Sequence, residues 1–351
     1  MSTAAKTAAT RRTVKCLVWD LDHTVWDGVL LENDDVKPRP GVREALAALD
    51  ERGILNSVAS RNDPATALAK LTELGLRDYF LVPQIGWGAK SQSVAAIATA
   101  LNIGVDALAF IDDQPFERDE VAHTHPGVLC LDAADVEALL ERDELRPPFI
   151  TEDSRRRRLM YLADLERQDA ETDFSGPQDA FLASLGMRFE IARAQESDLQ
   201  RAEELTLRTN QLNTTGRTYS YDELNAFRDS DDHLLLIARL TDRYGPYGNI
   251  GVALISTAGP VWIVKLLLMS CRVMSRGVGT VLVNRIKRLA ADAGARLQAD
   301  FVPTDRNRMM YVSFKLNGFS DAGTADGVTR LEADLGSIPQ DPPYTEVIAH
   351  I

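Results

Sequence analysis

Two aspartates one residue apart, Asp20 and Asp22, follow the run Lys15-Cys16-Leu17-Val18-Trp19 and precede Thr24 and Gly28. Carboxylates this close repel one another unless a cation lies between them. A hard divalent ion such as Mg2+, held by one or two carboxylates plus substrate phosphate, suits such oxygen ligands. Taken alone, the pair would serve equally well to end a strand and cap the next segment. The chain then supplies Ser60-Arg61, Lys90 and a second acidic pair, Asp112-Asp113. A hydroxyl, an ammonium and two acidic pairs are an uncommon set to meet at successive strand or loop ends.

The elements that must position these groups alternate. Cys16 to Trp19 reads as a buried strand, Val42 to Glu51 as an amphipathic helix closed by Gly53, and Ile54 to Ala59 as a second strand. Asp63-Pro64 opens another helix with a cap and a first-turn proline. Phe80 to Val82, Ala107 to Ile111 and Val128 to Leu131 read as further strands, with Lys90 opening a helix to Leu101. Strand, polar end and helix in repetition predict a doubly wound parallel sheet, which binds ligands just beyond the carboxyl ends of its strands. Few residues lie between Asp22 and Ser60 or between Ser60 and Lys90, which leaves room for only a minimal cap.

At 351 residues with 45% hydrophobic content, the chain is expected to form two globular domains. We read 1–12 as a flexible tail, 13–147 as the first domain, 148–178 as a helical linker and 179–351 as the second domain. The run Arg155 to Arg158 reads as a solvated helix face, or as a docking patch for an acidic partner. A net charge of −13 speaks against nucleic-acid binding. No apolar run reaches the roughly 18 residues of a membrane helix. Three scattered cysteines, Cys16, Cys130 and Cys271, suggest a reducing, cytoplasmic setting.

The ordered set resembles the haloacid dehalogenase superfamily of phosphoryl-transfer enzymes, over about Thr13 to Leu145. Asp20-Leu21-Asp22-His23-Thr24 stands for the first motif, Ser60 for the second, Lys90 for the third and Asp112-Asp113 for the fourth. The resemblance implies a carboxylate nucleophile at Asp20 and an acid and base at Asp22. It places phosphate contacts at Ser60, Arg61 and Lys90. Mg2+ is implied at Asp20, at Asp22 through its backbone carbonyl, and at Asp112, with Asp113 orienting metal-bound water or Lys90. At about 4 Å two like unit charges cost roughly 4 kcal/mol in a moderately polar site, so the cation and Lys90 lower the barrier.

From Ala180 the texture changes to helix, strand and helix, then long strands at Leu234 to Leu240, Asn249 to Ser256 and Val261 to Met269. Gly245-Pro246-Tyr247-Gly248 reads as the turn between the first two. A helix over Thr280 to Ala293, a strand Leu297 to Val302 and a helix Asn307 to Leu316 close the pattern. This half is similar to the acyltransferase fold of the coenzyme A-dependent N-acetyltransferases. Arg276-Gly277-Val278-Gly279 sits where backbone N–H groups would hold a pyrophosphate, although Val281 replaces the last Gly or Ala of that motif. A phosphopantetheine arm would then meet Arg272, Arg276, Gly277 and Gly279. Cys271, beside Arg272 and near a helix start, is a candidate acyl-carrying nucleophile. Asn210, within Thr209 to Asn213, is a candidate substrate wall.

Across nearly its whole length the chain resembles the FkbH-like family. The resemblance rests on Trp19 to Gly28, Arg208-Thr209-Asn210-Gln211-Leu212-Asn213 and Ser270-Cys271-Arg272-Val273, with His23 where Asn is common. It implies a substrate, 1,3-bisphosphoglycerate, and a partner, an acyl carrier protein onto which D-glycerate is loaded as a thioester in polyketide or tetronate biosynthesis. Two other readings remain. One is a phosphatase whose second domain only binds or scaffolds, and the other is a binding module without thioester chemistry.

Overall fold

A computed structural model describes residues 13–351; the tail read at 1–12 lies outside the described residues. The chain divides between Leu162 and Ala163 into two compact units.

The first unit is built on a parallel sheet of β1 (Cys16–Trp19), β2 (Leu55–Ser60), β3 (Gln84–Ile85), β4 (Leu108–Asp112) and β5 (Leu129–Asp132), in the order β3-β2-β1-β4-β5. Every residue of β1, β2 and β4 is buried, as expected of strands covered on both faces. Two interior polar contacts tie the strands: Trp19 Nε1 donates to Asn56 Oδ1 at 2.9 Å, and Ser57 Oγ to the Leu81 carbonyl at 2.7 Å. Trp19, the last residue of β1, lies opposite both Val58 and Ile111, so β2 runs two residues and β4 one residue beyond it. That register puts Asp20 level with Asp112 at the carboxyl edge, with Ser60 one residue further along.

The helices are α1 (Val42–Glu51), α2 (Pro64–Glu73), α3 (Lys90–Ala100) and α4 (Pro115–Thr124). Asp63 caps α2 by accepting from Thr66 N at 2.9 Å, with Pro64 in the first turn. Between β1 and α1 the ordered insertion is a two-residue ladder, Trp26–Asp27 against Lys37–Pro38. Between β2 and α3 there are α2, a 3-10 turn at Arg77–Tyr79 and the short β3, in keeping with a minimal cap. The strand expected at Phe80 to Val82 is displaced. Phe80 makes a single bridge to Asn56, Val82 adopts a positive φ of 42°, and the strand is Gln84–Ile85.

The second unit carries an eight-stranded mixed sheet. Its strands are β6 (Met187–Arg193), β7 (His233–Asp242), β8 (Gly245–Ser256), β9 (Val261–Met269), β10 (Arg296–Phe301), β11 (Phe319–Ala325), β12 (Val328–Ala333) and β13 (Thr345–His350). The order is β11-β12-β10-β9-β8-β7-β6-β13, parallel at β9/β10 and β6/β13 and antiparallel elsewhere. The turn expected at Gly245 to Gly248 is instead the start of β8; the chain reverses at Arg243-Tyr244. Tyr247 is fully buried and is held in the strand through two register shifts, so its burial outweighs the glycine and proline signal.

The stretch read as a linker, 148–178, contains the helix Arg157–Asp173, which passes through the division between the units. The run Arg155 to Arg158 is a solvated face only in part: Arg155 and Arg156 are exposed, while Arg157 is buried and Arg158 half-buried. Arg155 pairs with Glu51, Arg158 with Asp50, and the buried Arg157 donates to the Gly53 carbonyl at 3.0 Å. Further along, Arg167 is locked into the second unit by a bidentate pair with Asp242 (2.7 and 2.8 Å) and a bond to Asp164 at 2.8 Å.

Candidate active site

At the carboxyl edge of the first sheet, Asp20 follows β1, Asp112 ends β4 and Lys90 opens α3. Lys90 Nζ lies 2.6 Å from both Asp20 Oδ1 and Asp112 Oδ2, with all three side chains nearly inaccessible. Asp112 is fixed from behind: its Oδ1 accepts from Gln114 N at 2.8 Å, and its carbonyl accepts from Arg118 at 2.7 Å. One carboxylate oxygen each from Asp20, Asp112 and Asp113 lie within 4.8 Å of one another. Asp113 Oδ1 is buried without a hydrogen-bond partner.

These residues fit a divalent cation. Three carboxylates and one ammonium leave a formal charge of −2, with Asp20, Asp112 and Lys90 buried and Asp113 partly so. Burial is the main force pushing the Asp20 carboxyl up, to about 7, and the adjacent Asp112 adds to it against the lowering pull of Lys90. Asp113 is also raised, by burial first and then by Asp112. Burial alone would lower Lys90, but the two carboxylates reverse this and hold it above the ordinary lysine range. All three groups favour added positive charge, and hard oxygen donors are what Mg2+ accepts.

The Asp20 shift sets a pH dependence. Below about pH 7 the proton on Asp20 competes with the cation, so the apparent Mg2+ dissociation constant should rise about tenfold between pH 8 and pH 6. Calorimetric titration at the two pH values measures this, and equal affinities would refute the competition.

Asp22 stands apart from this cluster. Its Oδ1 accepts from Trp26 Nε1 at 2.7 Å and Leu30 N at 3.0 Å, and its Oδ2 accepts from Asn62 Nδ2 at 3.1 Å. The carboxylate is therefore oriented by three donors and is not one of the oxygens grouped for a metal, which leaves its backbone carbonyl as the ligand implied from sequence. Ser60 is buried at the end of β2, where its carbonyl accepts from Gly86 N at 3.0 Å. Arg61 is half exposed and pairs with Glu117 at 3.1 Å, so it stands at the rim. Sequence reasoning missed Asn62, Arg118 and Trp26. Asn62 could have been found by following the polar residues two places past the strand end.

In the second unit the expected thioester site looks different. Cys271 opens a short 3-10 turn directly after β9, half-buried and without a disulfide. Gly277 adopts φ +74° as the left-handed cap of the helix Val278–Asp292, where a Cβ would lie 3.0 Å from Tyr344 Oη. Gly279 faces open space. Arg272 and Arg276, expected to meet a pantetheine arm, turn inward instead. Arg272 donates to the Tyr247 carbonyl at 2.7 Å, and Arg276 pairs with Glu171 at 3.0 Å beneath the Phe181 ring. Arg276 thereby fastens the helix Arg157–Asp173, and Arg272 also lies 3.9 Å from Asp164 of that helix, because a buried guanidinium needs partners.

Asn210 is exposed, and the residues after it run along the edge of β9. Parallel pairing of β9 and β10 is confined to Val261–Val264 against Arg296–Ala299, and the segment Leu212–Thr214 fills the gap beyond. Met269 N donates to the Leu212 carbonyl at 2.9 Å, Thr214 N to the Leu267 carbonyl at 3.0 Å, and Val302 N to the Thr214 carbonyl at 3.0 Å. The edge of β9 at this point is therefore satisfied by the chain's own backbone.

Residues 18–117 match the haloacid dehalogenase-like hydrolase family. That span holds Asp20, Asp22, Ser60, Lys90, Asp112 and Asp113. Among solved structures, the N-terminal part of a Bacteroides fragilis protein, containing a phosphatase domain complexed with Mg, is similar at 30% identity. It covers 37% of this chain, with a TM-score of 0.33, and the chain spans about 40% of that structure's length. An N-acetyltransferase, PaiA from Thermoplasma acidophilum in complex with coenzyme A, is similar at 15% identity over 42% of this chain and 98% of its own (TM-score 0.34). The ribosomal-protein-S18-alanine N-acetyltransferase of Escherichia coli is similar at 14% over 41% and 90% (TM-score 0.32). No curated protein matches the chain. Among the described residues, no helix is long and apolar enough to cross a membrane.

Proposed function

We propose that the first unit is a Mg2+-dependent phosphate-ester hydrolase working through Asp20, and that the whole chain loads a glyceryl group onto an acyl carrier protein. The observation that carries the first part is Lys90 held 2.6 Å from both Asp20 and Asp112, beside the unpartnered buried oxygen of Asp113. Bound Mg2+ would offset the negative charge of the phosphoryl group. Asp20 attacks phosphorus and forms an aspartyl-phosphate while the ester oxygen departs with a proton from Asp22. The Ser60 hydroxyl donates to a phosphoryl oxygen, and Lys90 neutralises the nucleophile and holds it in line. Asp22, oriented by Trp26, Leu30 and Asn62, then takes a proton from the water that releases phosphate and restores Asp20.

The glyceryl part rests on the sequence resemblance. The thiolate of Cys271 would attack the acyl phosphate of 1,3-bisphosphoglycerate, breaking the bond between acyl carbon and phosphate oxygen, and the carrier's pantetheine thiol would take the acyl group. The first unit would remove the 3-phosphate. Mass spectrometry of a holo carrier protein incubated with the enzyme, Mg2+ and 1,3-bisphosphoglycerate tests the whole reading. Cys271→Ala should abolish glyceryl transfer while retaining release of phosphate from para-nitrophenyl phosphate. Transfer that survives this substitution refutes the covalent thiol.

A second reading, a phosphatase whose C-terminal unit binds or scaffolds, draws support from the inward-turned Arg272 and Arg276 and from the closed edge of β9. It predicts that phosphate release survives and that the carrier stays unloaded with either the parent protein or the Cys271 variant.

A further inference from the structure

Helix α3 starts at Lys90 without a cap of its own: the residue before it is Ala89, whose side chain offers no acceptor. The first N–H groups of a helix need partners from outside it, and here one comes from α4. Glu120 accepts from Ser91 N at 3.0 Å through Oε2 and from Ser91 Oγ through Oε1. His125, the residue after α4, has its Nε2 3.0 Å from the Ser91 carbonyl. A carbonyl only accepts, so that ring nitrogen carries the proton. Ser91 itself is buried. The residue next to Lys90 is thus gripped at its N–H, its hydroxyl and its carbonyl, all from the far end of α4.

The near end of the same helix holds the other side of the ion pair. Gln114 N, just ahead of α4, donates to Asp112 Oδ1 at 2.8 Å, and Arg118 donates to the Asp112 carbonyl at 2.7 Å. One helix therefore fixes the chain on both sides of the 2.6 Å contact between Lys90 and Asp112. Glu120 is not among the carboxylates grouped for a metal, so its part is indirect. Resting on the phosphatase reading, we propose that Glu120 is a positioning residue for phosphoryl transfer, setting where Lys90 stands between Asp20 and Asp112. Its negative charge also suits the positive end of α3, but what the reaction needs from it is position. A misplacement of about 1 Å can cost roughly a hundredfold in rate.

Two substitutions in the full chain separate position from charge. Glu120→Gln keeps the length and can still accept from Ser91 N and donate to Ser91 Oγ. Glu120→Asp keeps the charge and draws it back by one methylene. On para-nitrophenyl phosphate with Mg2+, the Gln variant should keep kcat within about threefold of the parent, while Glu120→Asp and Glu120→Ala should each lose about tenfold or more. Val94→Ala, which thins the buried face of α3, should lower the melting temperature and leave kcat unmoved. Acetylation of Lys90, read by mass spectrometry against the exposed Lys37, reports the place of the lysine without any turnover. Lys90 should label several-fold faster in the Asp and Ala variants than in the parent or the Gln variant. An Asp variant as active as the Gln variant overturns the proposal. So does a loss in Val94→Ala equal to that in Glu120→Ala, or Lys90 labelling that no Glu120 variant changes. A parent protein without turnover would sink the phosphatase reading instead, and the labelling then decides by itself whether Glu120 sets Lys90.

Discussion

Asp20→Asn is expected to lower kcat for phosphate release by about 10⁴-fold or more, because an amide oxygen cannot take the place of the attacking carboxylate. The fold should survive. Asn is close to Asp in shape, and Lys90 keeps its second partner, Asp112, at 2.6 Å. The substitution also removes one of three buried carboxylates from a cluster of net charge −2, so the melting temperature without Mg2+ should hold or rise, as is common where a site is built at the expense of stability. A phosphate-release assay paired with a thermal melt checks both halves. A variant within tenfold of the parent rate would show that Asp20 is not the nucleophile.

The largest expected effect on stability lies in the second unit. Arg167 is fully buried and makes two bonds to Asp242, one to Asp164 and one to the Gly245 carbonyl, with its guanidinium 3.9 Å from the centre of the Tyr247 ring. Burial pushes the Tyr247 hydroxyl well above the ordinary tyrosine range, so it stays protonated and donates to Asp242 at 3.0 Å. Arg167→Ala would strand Asp242 without its counter-charge, and removing one member of such a pair costs about 3–5 kcal/mol. Replacing both charges with apolar residues, as in Arg167→Met with Asp242→Leu, should recover much of that loss, since the desolvation penalty disappears along with the attraction. Denaturant unfolding of the full chain measures this in the transition of the second unit, and a single variant as stable as its parent would refute it.

Much of the molecule could be read without coordinates. Val42–Glu51 and Val261–Met269 form with the bounds expected, because apolar spacing and flanking turns agree there. The strands β11 and β13 were not legible. β11 is an edge strand with six of its seven residues exposed, so it carries no apolar alternation to find, and β13 pairs with β6 far away in sequence. The helix Tyr221–Arg228 was missed as well, although Ser220 and Glu223 make the reciprocal bonds of a capping box.

What the sequence determined by itself was the inventory of the first site: which carboxylates, which hydroxyl, which lysine and in what order. A strand end followed by a polar residue is a local pattern, and local patterns are written in neighbouring residues. Only the tertiary structure decided how each charged group is used. It gave Lys90 to Asp20 and Asp112, turned the Asp22 carboxylate toward Asn62 and Trp26, and drew Arg272 and Arg276 into the interior of the second unit. The physical reason is that a buried charge must find a partner, and those partners stand up to 105 positions away along the chain.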